Sequence, residues 1–372
     1  MRAVLLQVHL WLGLATGLVL VVVCATGAVL VFEDEIEEAL HPERYRVEAV
    51  GERLPLDAVV ARVRAAAPDA EITGVTVSTD RERSLELSAG RGHSVFADPY
   101  TGEVLGEFVY RETAMFTVFA LHRWLLADDV GKRIVGVSTL LFLLVLVTGV
   151  VTWWPKNRRQ LKDRLLVKTK AGWKRLNFDL HVSLGIYTAA LLFVMAFTGL
   201  AWSFEWFNDA IYWVTGSSQE RSEPPTVPER ERAERLPLDA AYAAAVAALP
   251  ASASYSIGLP GDGEGPLSVR AVPLGAPHER ASDTVHLDPA TGQVLALEPY
   301  ADQSLGRRTR SAFYAWHVGS MFGLPSRVLF FVACVLGATF PITGAFAWWN
   351  KRSKRWRRQW RNRREDRSTT SR

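Results

Sequence analysis

The stretch HLWLGLATGLVLVVVCATG, residues 9–27, is matched by HVSLGIYTAALLFVMAFTG, residues 181–199. Both open on a histidine, carry Leu-Gly at their fourth and fifth positions, and close on Thr-Gly 17 residues after the histidine. A second match lies downstream. His122 precedes Thr148-Gly149 by 26 residues and Trp153-Trp154 by 31, and His317 precedes Thr343-Gly344 and Trp348-Trp349 by the same intervals. Between these anchors, Leu54-Pro55-Leu56-Asp57 recurs as Leu236-Pro237-Leu238-Asp239, and Asp98-Pro99-Tyr100-Thr101-Gly102 as Asp288-Pro289-Ala290-Thr291-Gly292. The chain reads as two copies of one unit. The offset between them grows from 172 at the first histidine to 195 at the second, so insertions fall inside the unit and its ends stay in register.

Those ends are apolar. Runs near Leu10 to Phe32, Ile134 to Trp154, Phe178 to Phe204 and Val328 to Trp349 are each long enough to cross a hydrocarbon core, at about 20 residues per crossing. The mean hydropathy of +0.06 conceals them because two long polar segments dilute it. The expected fold is a membrane protein, mainly α: four transmembrane helices from an internal duplication, with two small α+β extracytoplasmic modules. The expected order is a first helix in 1–32, module one in 33–112, a fold-back segment with helix two in 113–155, a basic loop in 156–176 and helix three in 177–205. Module two in 206–310, a second fold-back with helix four in 311–350 and a basic tail in 351–372 complete it.

Basic residues give the orientation. From Lys156 to Arg175 nine Lys or Arg face one acid, Asp163, and the tail is basic throughout against Glu365 and Asp366. Both segments belong in the cytoplasm, whereas Glu33-Asp34-Glu35-Ile36-Glu37-Glu38 fits the other side. A bacterial inner membrane with both termini cytoplasmic and both modules periplasmic follows. Positive-inside retention accounts for the net charge of +4, so a nucleic-acid arm is not implied. The N-terminal run resembles a cleavable signal, but it is longer than a signal core and its copy at His181 is internal, so it is read as a retained helix. Cys24 and Cys334 both lie inside spans, leaving no disulfide framework for the modules.

Each module carries one pattern. Leu56 to Ala67 has helical spacing closed by Pro68, and alternating runs follow at Ile72 to Val77, Ser84 to Leu87, Ser94 to Phe96 and, past the Asp98 turn, Glu103 to Phe108. Leu238 to Leu249, Ser254 to Leu259, Leu267 to Ala271 and Thr284 to Leu287 repeat it. This predicts one helix on a small antiparallel sheet in each module. Neither module shows a nucleophile-base constellation or a phosphate loop, and the glycines at Gly261, Gly263 and Gly265 lack the strand and helix a dinucleotide fingerprint needs.

The His-x-x-Leu-Gly openings at His9 and His181, the four Thr-Gly pairs, the Asp-Pro-x-Thr-Gly turns and the tryptophan pairs with basic exits resemble the PepSY-associated transmembrane family. That family includes ferric-siderophore reductases and iron-regulated membrane proteins. The resemblance spans almost the whole chain, and it implies a four-helix haem-binding core with PepSY-type periplasmic modules.

The residues themselves also point to haem. No Cys-x-x-Cys-His provides a thioether link, so haem b held by axial imidazoles is the form to expect. One histidine at a membrane boundary is equally a snorkelling or hydrogen-bonding residue. Four at matched positions, in pairs of matched depth, are read as ligands: His9 with His181 near the cytoplasmic face, and His122 with His317 near the outer face. A straight helix from Trp153 would carry His122 about 15 Å beyond the membrane. A break is therefore expected at Asp128-Asp129-Val130-Gly131 and at Gly323-Leu324-Pro325, folding Thr113 to Leu126 and Ser311 to Met321 back over the surface. Lys132 and Arg327 are then placed for haem propionates, or equally for boundary anchoring. Gly27, Gly149, Gly199 and Gly344, with Thr26, Thr148, Thr198 and Thr343, face the opposite histidine pair in depth. They allow a flat macrocycle to approach, or serve close helix packing. His41, His93, His278 and His286 have no matched partner and are read as surface residues.

The reading is a membrane electron carrier with two bis-histidine haems, surrounded by lipid. A quinol or redox protein is the donor and a periplasmic acceptor, a ferric-siderophore above all, is reduced near Arg123, Trp124, Tyr314 and Trp316. Two rivals stand beside it: a sensor or assembly factor whose modules bind a periplasmic peptide or protein, and a metal permease, which the near absence of carboxylates in the spans opposes.

Overall fold

The computed structural model describes residues 1–219, 223–227, 235–259 and 265–369, with side chains in the last helix as far as Ser353. In chain order the first elements are α1 (Arg2–Leu30), α2 (Glu33–Leu40), α3 (Pro42–Tyr45), α4 (Leu56–Ala66), β1 (Gly74–Ser78), β2 (Leu85–Ser88), β3 (His93–Ala97) and β4 (Val104–Val109). Next come α5 (Ala114–Trp124), α6 (Asp128–Trp153), α7 (Arg158–Leu165), α8 (Trp173–Asp179) and α9 (Gly185–Ser203). The chain continues with α10 (Glu205–Val214), α11 (Leu238–Ala248), β5 (Ser252–Gly258), β6 (Leu267–Pro273), β7 (Asp283–Leu287), β8 (Val294–Glu298), α12 (Leu305–Val318) and α13 (Leu324–Thr369). It divides into two units, a helical one of 1–31, 118–205 and 316–372 and a mixed one of 32–117 and 206–315.

In the helical unit, four helices are long and apolar enough to cross a membrane: Arg2–Leu30, Asp128–Trp153, Trp173–Ser203 and Leu324–Ser353. Only 22% to 33% of their most apolar windows is buried within the molecule, so most of that apolar surface faces outward, as lipid permits and water does not. They form a ring in which α1 packs on α6 and α13, and α9 packs on the same two. Ala28, Leu192, Met195, Phe330, Ala333 and Cys334 fill its centre. The span beginning at Trp173 is interrupted by a π-turn, Leu180–Leu184, which contains His181; such turns re-aim side chains within a continuous helix.

Both expected breaks are present, with different chemistry. After α12, Gly319 and Gly323 adopt positive φ, and a Cβ at Gly319 would lie 2.5 Å from the Phe330 ring. After α5, the turn is made by Leu125, Leu126 and Asp128, all at positive φ without a glycine. This geometry costs about 1–3 kcal/mol per residue. Gly131 is not the breaker. It sits in the first turn of α6, where a Cβ would overlap the Trp124 carbonyl oxygen, so its bare backbone lets the two helices abut.

The mixed unit corrects the expectation of two separate sheets. The strands form one eight-stranded antiparallel sheet in the order β4-β3-β2-β1-β5-β6-β7-β8, joined at its centre by β1 and β5 with Val75 opposite Ile257 and Thr76 opposite Ser256. Under it, α4 and α11 bury Val59, Val60, Val63, Ala241 and Ala245 against Leu87, Val95, Val269 and Val285. The two helices also cap each other. Leu56 N donates to Asp239 (2.8 Å) and Leu238 N to Asp57 (2.7 Å), which gives the repeated Leu-Pro-Leu-Asp its physical reason. At the repeated turns, Asp98 accepts from Tyr100 N and Thr101 N, and Asp288 from Ala290 N and Thr291 N, with Gly102 and Gly292 at positive φ. Two of the four unmatched histidines are buried rather than on the surface. His278 pairs with the Tyr300 hydroxyl (3.0 Å) and His286 with Ser268 (2.9 Å), because β6, β7 and the turns beside them close over both. Gly261 and Gly263 lie outside the described residues.

Candidate functional site

In the helical unit the four matched histidines come together as two pairs. The ring centres of His9 and His181 are 6.3 Å apart with planes at 85°, and those of His122 and His317 are 6.1 Å apart at 72°. His9 lies in α1, two turns from its start, and His181 in the π-turn before α9. His122 is near the end of α5 and His317 near the end of α12.

One local scheme holds all four. His9 Nδ1 lies 3.0 Å from the Val145 carbonyl oxygen and 3.3 Å from Thr148 Oγ1. His122 Nδ1 is 2.9 Å from the Val23 carbonyl and 3.3 Å from Thr26 Oγ1, and His317 Nδ1 is 2.9 Å from the Met195 carbonyl and 3.1 Å from Thr198 Oγ1. His181 Nδ1 is 2.9 Å from Thr343 Oγ1 and also bonds the Phe340 backbone. Each backbone acceptor stands three residues before its threonine. Each threonine hydroxyl donates to carbonyls three and four residues back in its own helix, so its oxygen is left to accept from the imidazole. A carbonyl can only accept. Nδ1 therefore carries the proton in every ring, and Nε2 keeps its lone pair free.

The glycine after each threonine completes the scheme. A Cβ on Gly149 would stand 3.2 Å from His9 Cε1, on Gly344 3.2 Å from His181, on Gly27 3.0 Å from His122 and on Gly199 3.2 Å from His317. The Thr-Gly pairs therefore lie directly against the imidazoles. Each pair belongs to the helix beside its histidine: α6 serves His9, α1 serves His122, α13 serves His181 and α9 serves His317.

Two imidazoles bound to one metal from opposite sides at about 2.0 Å per metal–nitrogen bond have ring centres about 6 Å apart. The observed 6.3 and 6.1 Å match that separation. Among the described residues no group of three or more His, Cys, Asp or Glu could hold a metal ion, so each pair offers two nitrogens and no more. A bare ion would find an incomplete shell. A porphyrin brings the four in-plane donors that two axial imidazoles complete, so the residues fit haem.

Lys132 is exposed near the start of α6. Arg327, in the first turn of α13, donates to the Val31 carbonyl just past the end of α1, which is an anchoring contact. Several neighbours carry no sequence signal. Trp202 lies against His317 (5.3 Å between ring centres), Phe340 against His181 (5.8 Å), and Arg123, next to His122, donates to the Trp202 carbonyl (3.2 Å). The two aromatic neighbours belong to histidines of the second copy only, which no repeat comparison could reveal.

A search of curated proteins finds no match. The family profile described as the PepSY-associated TM region runs from three residues before His9 to two beyond Trp349, matching residues 6–351, and the chain belongs to that family.

Proposed function

We propose that the chain is an inner-membrane electron carrier with two haem b groups, one between His9 and His181 and one between His122 and His317. The observation that carries this reading is the fourfold Nδ1 hydrogen bond, which leaves Nε2 free in each ring, with the rings of each pair 6.3 and 6.1 Å apart, a separation that suits a metal between them. A peptide-binding sensor would need none of these four seated imidazoles. Haem, when bound, supplies one-electron exchange between ferric and ferrous iron. The chain's own residues do the rest. Each histidine pair would hold the haem iron through two imidazoles, which would leave no position for oxygen and favour transfer to an outside acceptor. The carbonyl and threonine acceptors fix ring orientation and make each imidazole a stronger donor. Leu192, Met195, Phe330 and Ala333 keep water out of the space within the ring of helices.

With the basic loop and tail in the cytoplasm, His9 and His181 would lie toward that side and His122 and His317 toward the periplasm. On this reading the two halves descend from one duplicated unit, and the eight-stranded sheet is a pair of PepSY modules in the periplasm. A quinol or redox protein supplies electrons, and a periplasmic ferric-siderophore accepts one, releasing Fe(II) from a chelator that holds it less tightly. The test begins with detergent-purified protein, which should show a low-spin haem b spectrum with two haems per chain. Chemically reduced protein mixed anaerobically with a ferric-siderophore should then reoxidise while a ferrous chelator captures Fe(II), and His317→Ala should abolish this. Protein that folds without haem would overturn the carrier, and haems that stay reduced with every ferric chelate would overturn the acceptor.

A further inference from the structure

The end of the bundle nearest His9 gathers hydrogen-bond donors without an acceptor to match. Arg2, in the first turn of α1, donates to the Thr152 carbonyl in the last turn of α6 (2.5 Å), and Arg164 of α7 donates to the same oxygen (3.2 Å) and to the Trp153 carbonyl. Two guanidinium groups thus share one carbonyl oxygen. Neither has an ion-pair partner among the described residues; Asp163 is taken by Lys168 and Asp179 by Arg175. Burial and the neighbouring Arg2 charge push the Arg164 pKa down, the signature of a cation without a counter-charge. The partial negative end of α6 offsets about half a charge of the two. In addition, the buried indole Nε1 of Trp153 has no hydrogen-bond partner.

These groups are aligned with the histidine above them. Arg2 precedes His9 by seven residues, two helical turns or about 10 Å, and so lies on the same face of α1. Trp153 follows Gly149, which abuts His9, by four residues and so lies one turn nearer the end of α6 on the same face. Among the described residues the second copy has no such cluster. Its counterpart of Arg2, Lys174, precedes the π-turn and lies over the Trp173 ring, while Trp348 is engaged by Trp11 and Arg352. A set of donors with surplus positive charge, set one to two turns below an axial imidazole, calls for a carboxylate-bearing ligand held by that imidazole.

We infer that Arg2, Arg164 and the Trp153 indole N–H bind the propionate carboxylates of the haem held by His9 and His181, fix the rotation of its edge, and stabilise its reduced form less weakly than a neutral environment would allow. This rests on the two-haem reading. The cations act on charge: the ferrous state carries one more electron, so a positive neighbour favours it, and removing the cation lowers the midpoint potential.

The test is a spectroelectrochemical titration of the purified full chain, with haem content measured separately. Arg2→Gln and Arg164→Gln should loosen haem only at the His9/His181 site, and the potential is read on the haem that stays bound there. The reduced-to-oxidised ratio of the haem that is lost in His9→Ala should fall about tenfold at fixed potential, a 59 mV shift for a one-electron couple. Trp153→Phe should shift the same haem by less, and Arg164→Lys should restore most of the shift. Two bound haems whose potentials ignore all three variants would overturn this inference and leave the carrier intact. A shift that appears only on adding anionic phospholipid would also overturn it, assigning the cluster to lipid phosphate. Absence of haem would instead overturn the carrier reading itself.

Discussion

His9 and His181 sit inside helices that run the length of the bundle, whereas His122 and His317 ride on separate helices, α5 and α12, each joined to its long helix by a sharp break. Yet all four imidazoles meet the same partners: a backbone carbonyl, a threonine hydroxyl three residues later and the glycine after that. What is repeated is therefore the seat and not the scaffold that delivers the ring. The seats lie in the four long helices, which pack as one ring, and they keep their geometry whether the histidine arrives from within that ring or from beyond its end. The cost falls on the delivery of the second pair, through positive φ at Leu125, Leu126 and Asp128 in one half and a tight Gly319 in the other.

This contrast can be broken at its weakest point. Gly319 combines φ +78° with a site where a Cβ would press on the Phe330 ring, so Gly319→Ala should displace α12 and empty the His122/His317 site. The expected result is one haem per chain, with His9/His181 intact; loss of both would mean that the pairs are not independent. Gly149→Ala and Gly27→Ala press directly on His9 and His122 from 3.2 and 3.0 Å. Each should weaken one haem only, and the Gly27 variant, with the tighter approach, the more; haem retention during gel filtration reads this out.

The seat itself can then be graded. Thr148→Val and Thr26→Val remove the hydroxyl acceptor but keep the carbonyl, and each should lower haem affinity at its own level by about 10- to 100-fold, as outer-shell partners of metal-bound histidines do. Equal losses at both levels would confirm that the seat works the same on either scaffold. Smaller effects belong to the sheet unit. Asp57→Ala removes the carboxylate that accepts from Leu238 N and should cost about 1 kcal/mol in the stability of that unit, with a similar loss for Asp239→Ala and both haems retained. Burial holds the His278 pKa below its ordinary value. The neutral ring is therefore favoured in the folded state, and its contribution is complete above about pH 6.5 and lost as the pH falls below it. His278→Gln should flatten that part of the stability curve of the sheet unit.

Much of this was legible in the sequence because both the spans and the seats are local and repeated. The histidine and Thr-Gly intervals singled out the residues that the fold brings together, and hydropathy located the apolar part of all four long helices, although α1 begins eight residues before its run and α13 continues past its own. Seven of the eight strands of the mixed unit, all but β8, were found for the same reason, since alternation and the Asp-Pro-x-Thr-Gly turns are short-range signals. Their assembly was not. The pairing of Val75 with Ile257 joins residues far apart in sequence, and nothing in either strand distinguishes an edge left open from one that completes a larger sheet. The Thr-Gly pairs were recognised, but their role depends on which helix stands beside which histidine. Burial of His278 and His286 likewise depends on tertiary closure, and the turn at Leu125 and Leu126 has no glycine or proline to announce it.

The pairing of histidines by level is most directly tested by counting haem b in single and double histidine variants that remain folded. His9→Ala and His181→Ala should each lose one haem, and the two together should still lose only that one, because they serve the same site. His9→Ala combined with His122→Ala should lose both. If instead His9→Ala with His181→Ala lost two haems, or His9→Ala with His122→Ala lost only one, the ligands would be shared across the two levels and the two-site account would be contradicted.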